Sequence, residues 1–544
     1  MIREFYGVVS PQSWDFSVPD MKTSVLPYAI RISRSVTPPP LVTVLLLVLL
    51  SPITGYAIYY AFFHPLAKYP GPFLAKFTGL YAAYHAWIGD LHIDMWRCHE
   101  RYGPCVRYSP NYLLINTTQA YRDVYGHGKN VRKCKPYLAM VHKTPSIFTL
   151  MDRHEHAWKK RILSQKLSDS AIRSFEPKIS GLIDRFCDSV LPAAPDKGAG
   201  MTNSFNMSEK CDHLFFDLVI SIVFGENFDL IGTPWYRHIP PSLAKSNERI
   251  SVIVQWPYVA FRRMDKVLFR DSVSGRKEFL RFVHNMVTER VRRGSGNDVL
   301  SGLLDASDPT TGNKLTQDEI VAESILMLVA GSDTSSTLLS SLFFYLTRSP
   351  EKKERVTREV RSTFASRDEI CLGPKLNSCR YLHACILECL RLTPPVAAAP
   401  FREVLKGGMV VDGHYVAEGM NVGTGIFSIQ HSSEYFYSPF EFLPERWLSE
   451  GKGSSPHNPD AHVPFSIGPR VCLGRALAMA ELSLAMAIIC WRLDFKVDDR
   501  LKHIGAGHPK AEYGRHRPGE FQMYDHITCA RNGPMVEFKE RAVA

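Results

Sequence analysis

Ten residues late in the chain have the makings of a metal-ligating loop: Phe465-Ser-Ile-Gly468-Pro-Arg470-Val-Cys472-Leu-Gly474. They run into an apolar, Ala-rich stretch, 476–489, that reads as a buried helix. One cysteine thus stands in a glycine-flanked loop just before a helix N-terminus. Unpaired N–H groups and the helix dipole at such a place favour a thiolate, the form in which sulfur ligates a metal. Gly468 and Gly474 let the backbone turn tightly and come close to a flat ligand. Arg470 offers a guanidinium to an acidic group of that ligand.

A second group lies inside a predicted helix over 315–347. Thr316, with Asp318 and Glu319, is suited to cap its start. In the middle, Ala330-Gly331-Ser332-Asp333-Thr334-Ser335 sets a glycine and several hydroxyls where helix propensity disfavours them. Thr334 is placed to bond back to the carbonyl of Ala330 and open the helical ladder, making room for water. Asp333 adds an ionisable group beside it. An acid and an alcohol next to water suit proton delivery to a reacting oxygen.

These groups need a large scaffold, and the chain provides one. Its 544 residues are 45% hydrophobic and 22% charged, enough for a sizeable core. No Gly/Ser- or Pro-rich linker interrupts residues 70–544, so one large unit is expected there. The net charge of +11 comes from dispersed basic residues, which argues against nucleic acid as a partner. The same charge suits an anionic membrane surface or an acidic redox partner. Twelve cysteines without a C-x-x-C pair fit a reducing compartment.

Residues 41–63 contain no charged side chain. As a helix they extend roughly 34 Å, enough to cross a bilayer, with Ser51-Pro52 as a kink point. Tyr56, Tyr59 and Tyr60 fall near one end, where aromatic rings suit the interface. Residues 64–72 are proline-rich and cannot continue a helix. Residues 1–40 are either a luminal tail or an over-extended gene model with Met21 as the later start.

Further on, 381–391 reads as a helix stopped by Pro394-Pro395. Glu388 and Arg391 are three apart in it and share a face. The flanks are apolar, so the pair is expected to be at least partly buried and to need further partners. Pro444-Glu445-Arg446-Trp447 can supply one.

The loop F-x-x-G-x-R-x-C-x-G, the A-G-x-D-T-S helix, E-x-x-R and P-E-R-W occur in this order, and together they resemble the cytochrome P-450 superfamily of haem-thiolate monooxygenases. The stretches Arg107-Tyr-Ser-Pro-Asn-Tyr, Ser164-Gln-Lys-Leu-Ser-Asp-Ser-Ala-Ile and Gly514-Arg-His-Arg-Pro-Gly-Glu-Phe-Gln are most similar to filamentous-fungal microsomal members, including the benzoate-hydroxylase-like branch. The resemblance covers about 64–544. It implies a mostly α fold with a small β region, preceded by a single transmembrane anchor helix. It implies haem b with Cys472 as axial ligand, a loop of Phe465, Gly468, Arg470 and Gly474 around it, and Asp333 with Thr334 as the acid–alcohol pair. Glu388, Arg391 and Arg446 become a structural triad. Partners expected for the haem carboxylates are Arg470, Arg402 and the cluster His156-Ala-Trp158-Lys-Lys160-Arg161, from which His156 pairs with Lys160 or Arg161. The pocket segments implied are 137–151, 235–261, 324–329, 396–400 and 515–524, largely apolar or mixed, so a hydrophobic small-molecule substrate is expected together with O2. No G-x-G-x-x-G fingerprint occurs and 72 residues follow Cys472, so electrons are expected from a separate NADPH-dependent flavoprotein reductase. The expected place is the endoplasmic reticulum membrane, single-pass, with a cytosolic catalytic domain (73–544). The activity implied is monooxygenation in secondary metabolism. The alternatives are a detoxifying hydroxylase of xenobiotics or aromatic acids, and a haem-binding protein without turnover.

Overall fold

A computed structural model describes residues 40–192, 201–294, 296–307, 312–448 and 457–542. The tail expected over 1–40 lies, apart from Pro40, outside the described residues. By its contacts the chain divides into two units, 1–56 and 57–544. Helix α1, Pro40–Ile58, includes Pro52 and continues as a π-helical turn over Tyr59–Phe63.

The larger unit is mostly helical. The helices that position the site are α2 (Arg153–Lys166), α3 (Met207–Val223), α4 (Ile239–Gln255), α5 (Gln317–Arg348), α6 (Arg380–Leu392) and α7 (Arg475–Arg492). A small sheet is built from β1 (Cys105–Ser109), β2 (Tyr112–Ile115), β3 (Val131–Lys133), β4 (Arg402–Val404) and β5 (Asn421–Gly423), in the spatial order β1-β2-β5-β4-β3. Its β2–β5 pair is parallel and the rest are antiparallel. A separate hairpin, β6 (Met523–His526) and β7 (Thr528–Arg531), turns at Ile527 and pairs Met523 with Arg531.

Helix α5 crosses the middle of the core. Thr316 caps it in a full capping box with Glu319, which satisfies orphan N–H groups at its start. Its C-terminal half, from Ser335 to Thr347, is entirely buried, with Phe343 and Phe344 fully enclosed. Among the described residues α5 is the one helix long and apolar enough to cross a membrane, yet 56% of that apolar stretch is buried against the rest of the chain, as a core helix would be. Gly331 has a packing reason: a Cβ there would stand 2.8 Å from Val219 Cγ2, so glycine lets α3 approach α5 closely. Helix α5 also stays α-helical through 330–337, in contrast to the opened ladder expected from its hydroxyl cluster. The hydroxyls bond back to carbonyls one turn earlier, Ser332 to Leu328 at 2.6 Å and Thr337 to Asp333 at 2.7 Å, without displacing the backbone bonds.

Candidate active site

The loop 465–474 is tied at its base by the Cys472 N–H, which donates to the Phe465 carbonyl at 2.9 Å. Gly468 lies at φ +70°, and a Cβ there would fall 2.2 Å from the carbonyl oxygen of Tyr125. Any side chain at 468 would therefore meet both backbone strain and fixed backbone. Gly474 differs: its φ is −79° and a Cβ there would meet only Cys472 Sγ, at an ordinary 3.9 Å, so neither strain nor crowding demands glycine. The loop then enters α7, whose stretch from Glu481 to Cys490 is buried.

Cys472 is solvent-accessible, but protein surrounds it closely enough to push its thiol up. Backbone N–H groups of Gly474 and Arg475, and the Arg475 charge, pull the other way without prevailing. The helix N-terminus alone does not produce the thiolate expected from sequence. Desolvation outweighs it, and a bound cation is what would complete the ionisation.

Beside the loop lies a pocket of about 270 Å³ that reaches Pro469 and Arg470. Its walls carry Lys129, Arg132, Lys133, Arg153, Lys160, Arg402 and Arg470 beside His156, with no aspartate or glutamate. Lys129 and Arg132 pair with Asp123 and Glu403 outside the pocket, whereas the other five form no ion pair among the described residues and are held by carbonyl oxygens. Arg402 Nη1 donates to Pro400 O at 2.7 Å, Lys160 Nζ to Pro469 O at 2.9 Å, and Arg470 Nη1 to Ile147 O at 3.4 Å. Lys133 Nζ donates to the Phe148 carbonyl and sits 3.8 Å from the centre of the Phe148 ring. Crowding shows in their protonation: burial and the Arg402 and Arg470 charges press Lys133 well below the ordinary lysine value. Burial and the Arg402 and Arg153 guanidiniums lower Arg470 to about 10. Like charges gathered under partial burial repel, and the arrangement calls for an anion of at least two charges. The two carboxylates of haem fit that demand.

Two expectations about this pocket change. Arg161 is exposed on the outer face of α2, and Lys160 lines the pocket instead, because the side chains of α2 at 156, 157 and 160 share the inward face. His156 is buried, and desolvation with the Arg470, Lys133 and Lys160 charges lowers it to about 3, so it stands there as a neutral imidazole and not as a cation. Lys133 and Arg153 were not legible as pocket residues. They reach it from a three-residue strand and a helix start whose place is set by long-range pairing.

On α5, Thr334 Oγ1 donates to Ala330 O at 2.7 Å, as its spacing predicts. Asp333 Oδ2 accepts a short bond, 2.5 Å, from Thr528 Oγ1 of the β6–β7 hairpin. Burial pushes Asp333 up to about 6; the Arg531 charge and the Thr528 bond moderate this, and the Asp212 charge adds to it. An acid near neutrality both holds and releases a proton readily.

Glu388, Arg391 and Arg446 meet in the core. Arg391 Nη2 lies 2.7 Å and Arg446 Nε 3.0 Å from Glu388 Oε1, with both Arg391 and Glu388 fully buried. Trp447 Nε1 and the Leu443 N–H complete the shell at 2.8 and 3.1 Å.

Sequence reading passed over Glu481. It lies on the buried face of α7, nine residues after Cys472, and accepts from Ser335 of α5 at 3.4 Å. Burial lifts it to about 8. Between the unfolded carboxyl value of about 4.5 and 8, the folded chain thus binds a proton that the unfolded chain has released. Stability should therefore fall as pH rises across that window, by up to about 1.4 kcal/mol per pH unit from this group. Denaturant unfolding of Glu481→Gln at several pH values checks this: its slope should be shallower by one proton, and an unchanged slope would show that Glu481 is ionised in the fold.

The family model for cytochrome P450 matches residues 70–505. Cytochrome P450 monooxygenase AKT7 of Alternaria alternata is 42% identical over 507 residues, spanning 92% of this chain and 97% of its own. Cytochrome P450 monooxygenase poxM of Penicillium oxalicum is 40% identical over 488 residues, spanning 89% of this chain and 92% of its own. The solved structure of retinoic acid-bound cyanobacterial CYP120A1 shares the fold, with a TM-score of 0.66 over 87% of this chain and 99% of that one at 21% identity. The cysteine loop, the unpaired cationic pocket and the acid on α5 thus sit in a chain matched over most of its length by one family: the protein belongs to the cytochrome P450 family and is a haem-thiolate monooxygenase.

Proposed function

We propose that Cys472 is the axial ligand of haem b, and that the enzyme inserts one oxygen atom from O2 into a hydrophobic organic substrate in fungal secondary metabolite biosynthesis. The observation that carries the haem placement is the pocket of unpaired cations adjoining the cysteine loop: Arg470 sits two residues from Cys472 and belongs to both. Arg402, Arg470, Lys160 and Lys133 would hold the carboxylates, with His156 as a neutral hydrogen-bonding neighbour. Phe465, Gly468 and Gly474 shape the loop.

Haem ligated by a thiolate supplies oxygen activation, the sulfur donating electron density toward the O–O bond. The residues around it manage protons. Asp333, raised to about 6, takes up and gives back a proton close to neutral pH. Thr334 spends its own proton on Ala330 O and so presents lone pairs as an acceptor. Glu388, Arg391 and Arg446 keep the supporting core rigid.

Segment 41–63 is read as a single-pass anchor, 64–72 as its hinge and 73–544 as a catalytic domain on the cytosolic side of the endoplasmic reticulum. Electrons come from a separate NADPH-dependent flavoprotein reductase. Support for the secondary-metabolism reading is the run of fungal monooxygenases among the relatives and the small residues at 396–400, which leave room for a bulky ligand.

Disrupting the gene in its source organism and comparing metabolites by accurate mass tests the substrate reading. Accumulation of a compound one oxygen lighter than the lost product supports it. An unchanged metabolite profile sinks it in favour of detoxification. Separately, Thr334→Ala in the reconstituted enzyme should lower product formed per NADPH by about tenfold while NADPH consumption and hydrogen peroxide persist. Full coupling in that variant would remove Thr334 from proton handling.

A further inference from the structure

The turn of the β6–β7 hairpin reaches α5 at Asp333, 195 residues away in sequence. Thr528 Oγ1 donates to Asp333 Oδ2 at 2.5 Å, and the same oxygen accepts from Asn247 Nδ2 of α4 at 3.1 Å. A hydroxyl has one proton and two lone pairs. With the Asn247 N–H on a lone pair, the proton has one direction left, toward Asp333. Thr528 and Asn247 are each 7% exposed, so bulk water does not compete for either bond. The hairpin holds Thr528 in place: Ile527 takes the turn at φ +79°, the Cys529 N–H donates to Pro395 O at 2.9 Å, and the Asp525 N–H donates to Gly89 O at 2.8 Å.

We propose that Thr528, aimed by Asn247, is the positioning residue for Asp333, fixing which carboxyl oxygen carries the transferable proton and tying the acid to α4. A neutral carboxyl accepts best through its carbonyl oxygen. Thr528 occupies Oδ2, so the O–H lies on Oδ1, which gives up the proton and regains one, while the Thr528 proton stays in place. The inference rests on the reading of Asp333 as the acid. Other groups facing Asp333 are Arg531 of β7, which favours its charged form, and Asp212 of α3, which disfavours it. Arg531 is engaged with Asp212 and donates to Ser336 Oγ at 2.6 Å. The Cys529 thiol is pushed far up by burial and stays neutral.

Infrared titration of the Asp333 carboxyl in the full-length haem enzyme tests this, with Asp333→Asn identifying the band. In Thr528→Val the midpoint should move upward from about 6, because the carboxylate loses a donor. Thr528→Ser should restore it. In turnover with the reductase, product per NADPH in Thr528→Val should drop about tenfold, the factor for one lost hydrogen bond to a charged group, with the pH profile displaced in the same direction. Should Thr528→Val not fold, Thr528→Ala carries the same measurement. An unmoved midpoint, or failure of serine to restore it, overturns the proposal. A moved midpoint with coupling and pH profile unchanged instead removes Asp333 from the acid's role, so the two failures are distinguishable.

Discussion

Cys472→Ala should abolish oxygenation and erase the thiolate-type Soret band of the reduced carbon monoxide complex. The sulfur stands at the open side of a loop whose shape is set without it: Gly468 is fixed against the Tyr125 carbonyl, and the Cys472 backbone is fixed to Phe465. Alanine therefore preserves the loop and removes only the ligand. Burial keeps the free thiol protonated more tightly than in water, so haem iron has to displace that proton to bind. Haem uptake by the wild-type chain should accordingly release a proton and strengthen as pH rises. Pyridine haemochrome reads the haem content alongside the spectrum. A mutant that retains the thiolate-type band would dismiss Cys472 as ligand and send the assignment to another of the 12 cysteines.

Glu388→Ala should destabilise the haem-loaded enzyme by about 3–5 kcal/mol, enough that much of the protein fails to accumulate folded. One carboxylate receives Arg391 Nε at 3.0 Å and Nη2 at 2.7 Å, Arg446 Nε at 3.0 Å, Trp447 Nε1 at 2.8 Å and the Leu443 N–H at 3.1 Å. Deleting it leaves two guanidiniums in a place that water does not reach. The exposed pair Glu354–Arg358 is the control, since its removal should cost no more than about 0.5 kcal/mol. Denaturant unfolding separates the two, and a Glu388→Ala loss below about 1 kcal/mol would mean that the buried cations find other partners. The Glu388 pKa lies below its ordinary 4.5, chiefly because the Arg391 and Arg446 charges and their bonds overcome burial. Its contribution is therefore complete above about pH 4.5 and is lost as pH falls through the lower folded value.

Much of the site was legible because its signals are local. The Cys472 loop before α7, the i,i+3 pair Glu388–Arg391, the Thr316 cap and the Thr334-to-Ala330 bond each span at most ten residues. Backbone geometry over such a span follows from residue type and spacing. The apolar run at 41–63 is equally visible, being set by composition alone. Prediction failed where two local tendencies compete: hydroxyls in α5 were expected to open the helix, but they bond to carbonyls one turn earlier while the helix continues.

What the sequence determined by itself, then, is the kind of chemistry: a presented sulfur, an acid beside an alcohol, and a buried ion pair awaiting a third member. Only the tertiary structure decided the environment of those groups. Lys133, Arg153, Lys160, Arg402 and Arg470 converge from two strands, one helix and a loop. Arg161 turns outward by one helical step, and Thr528 finds Asp333 across 195 residues. Proton affinities at Cys472, His156, Asp333 and Glu481 follow from the same convergence. Burial and charge fall off with distance in space, and distance in space is fixed only when the whole chain has packed.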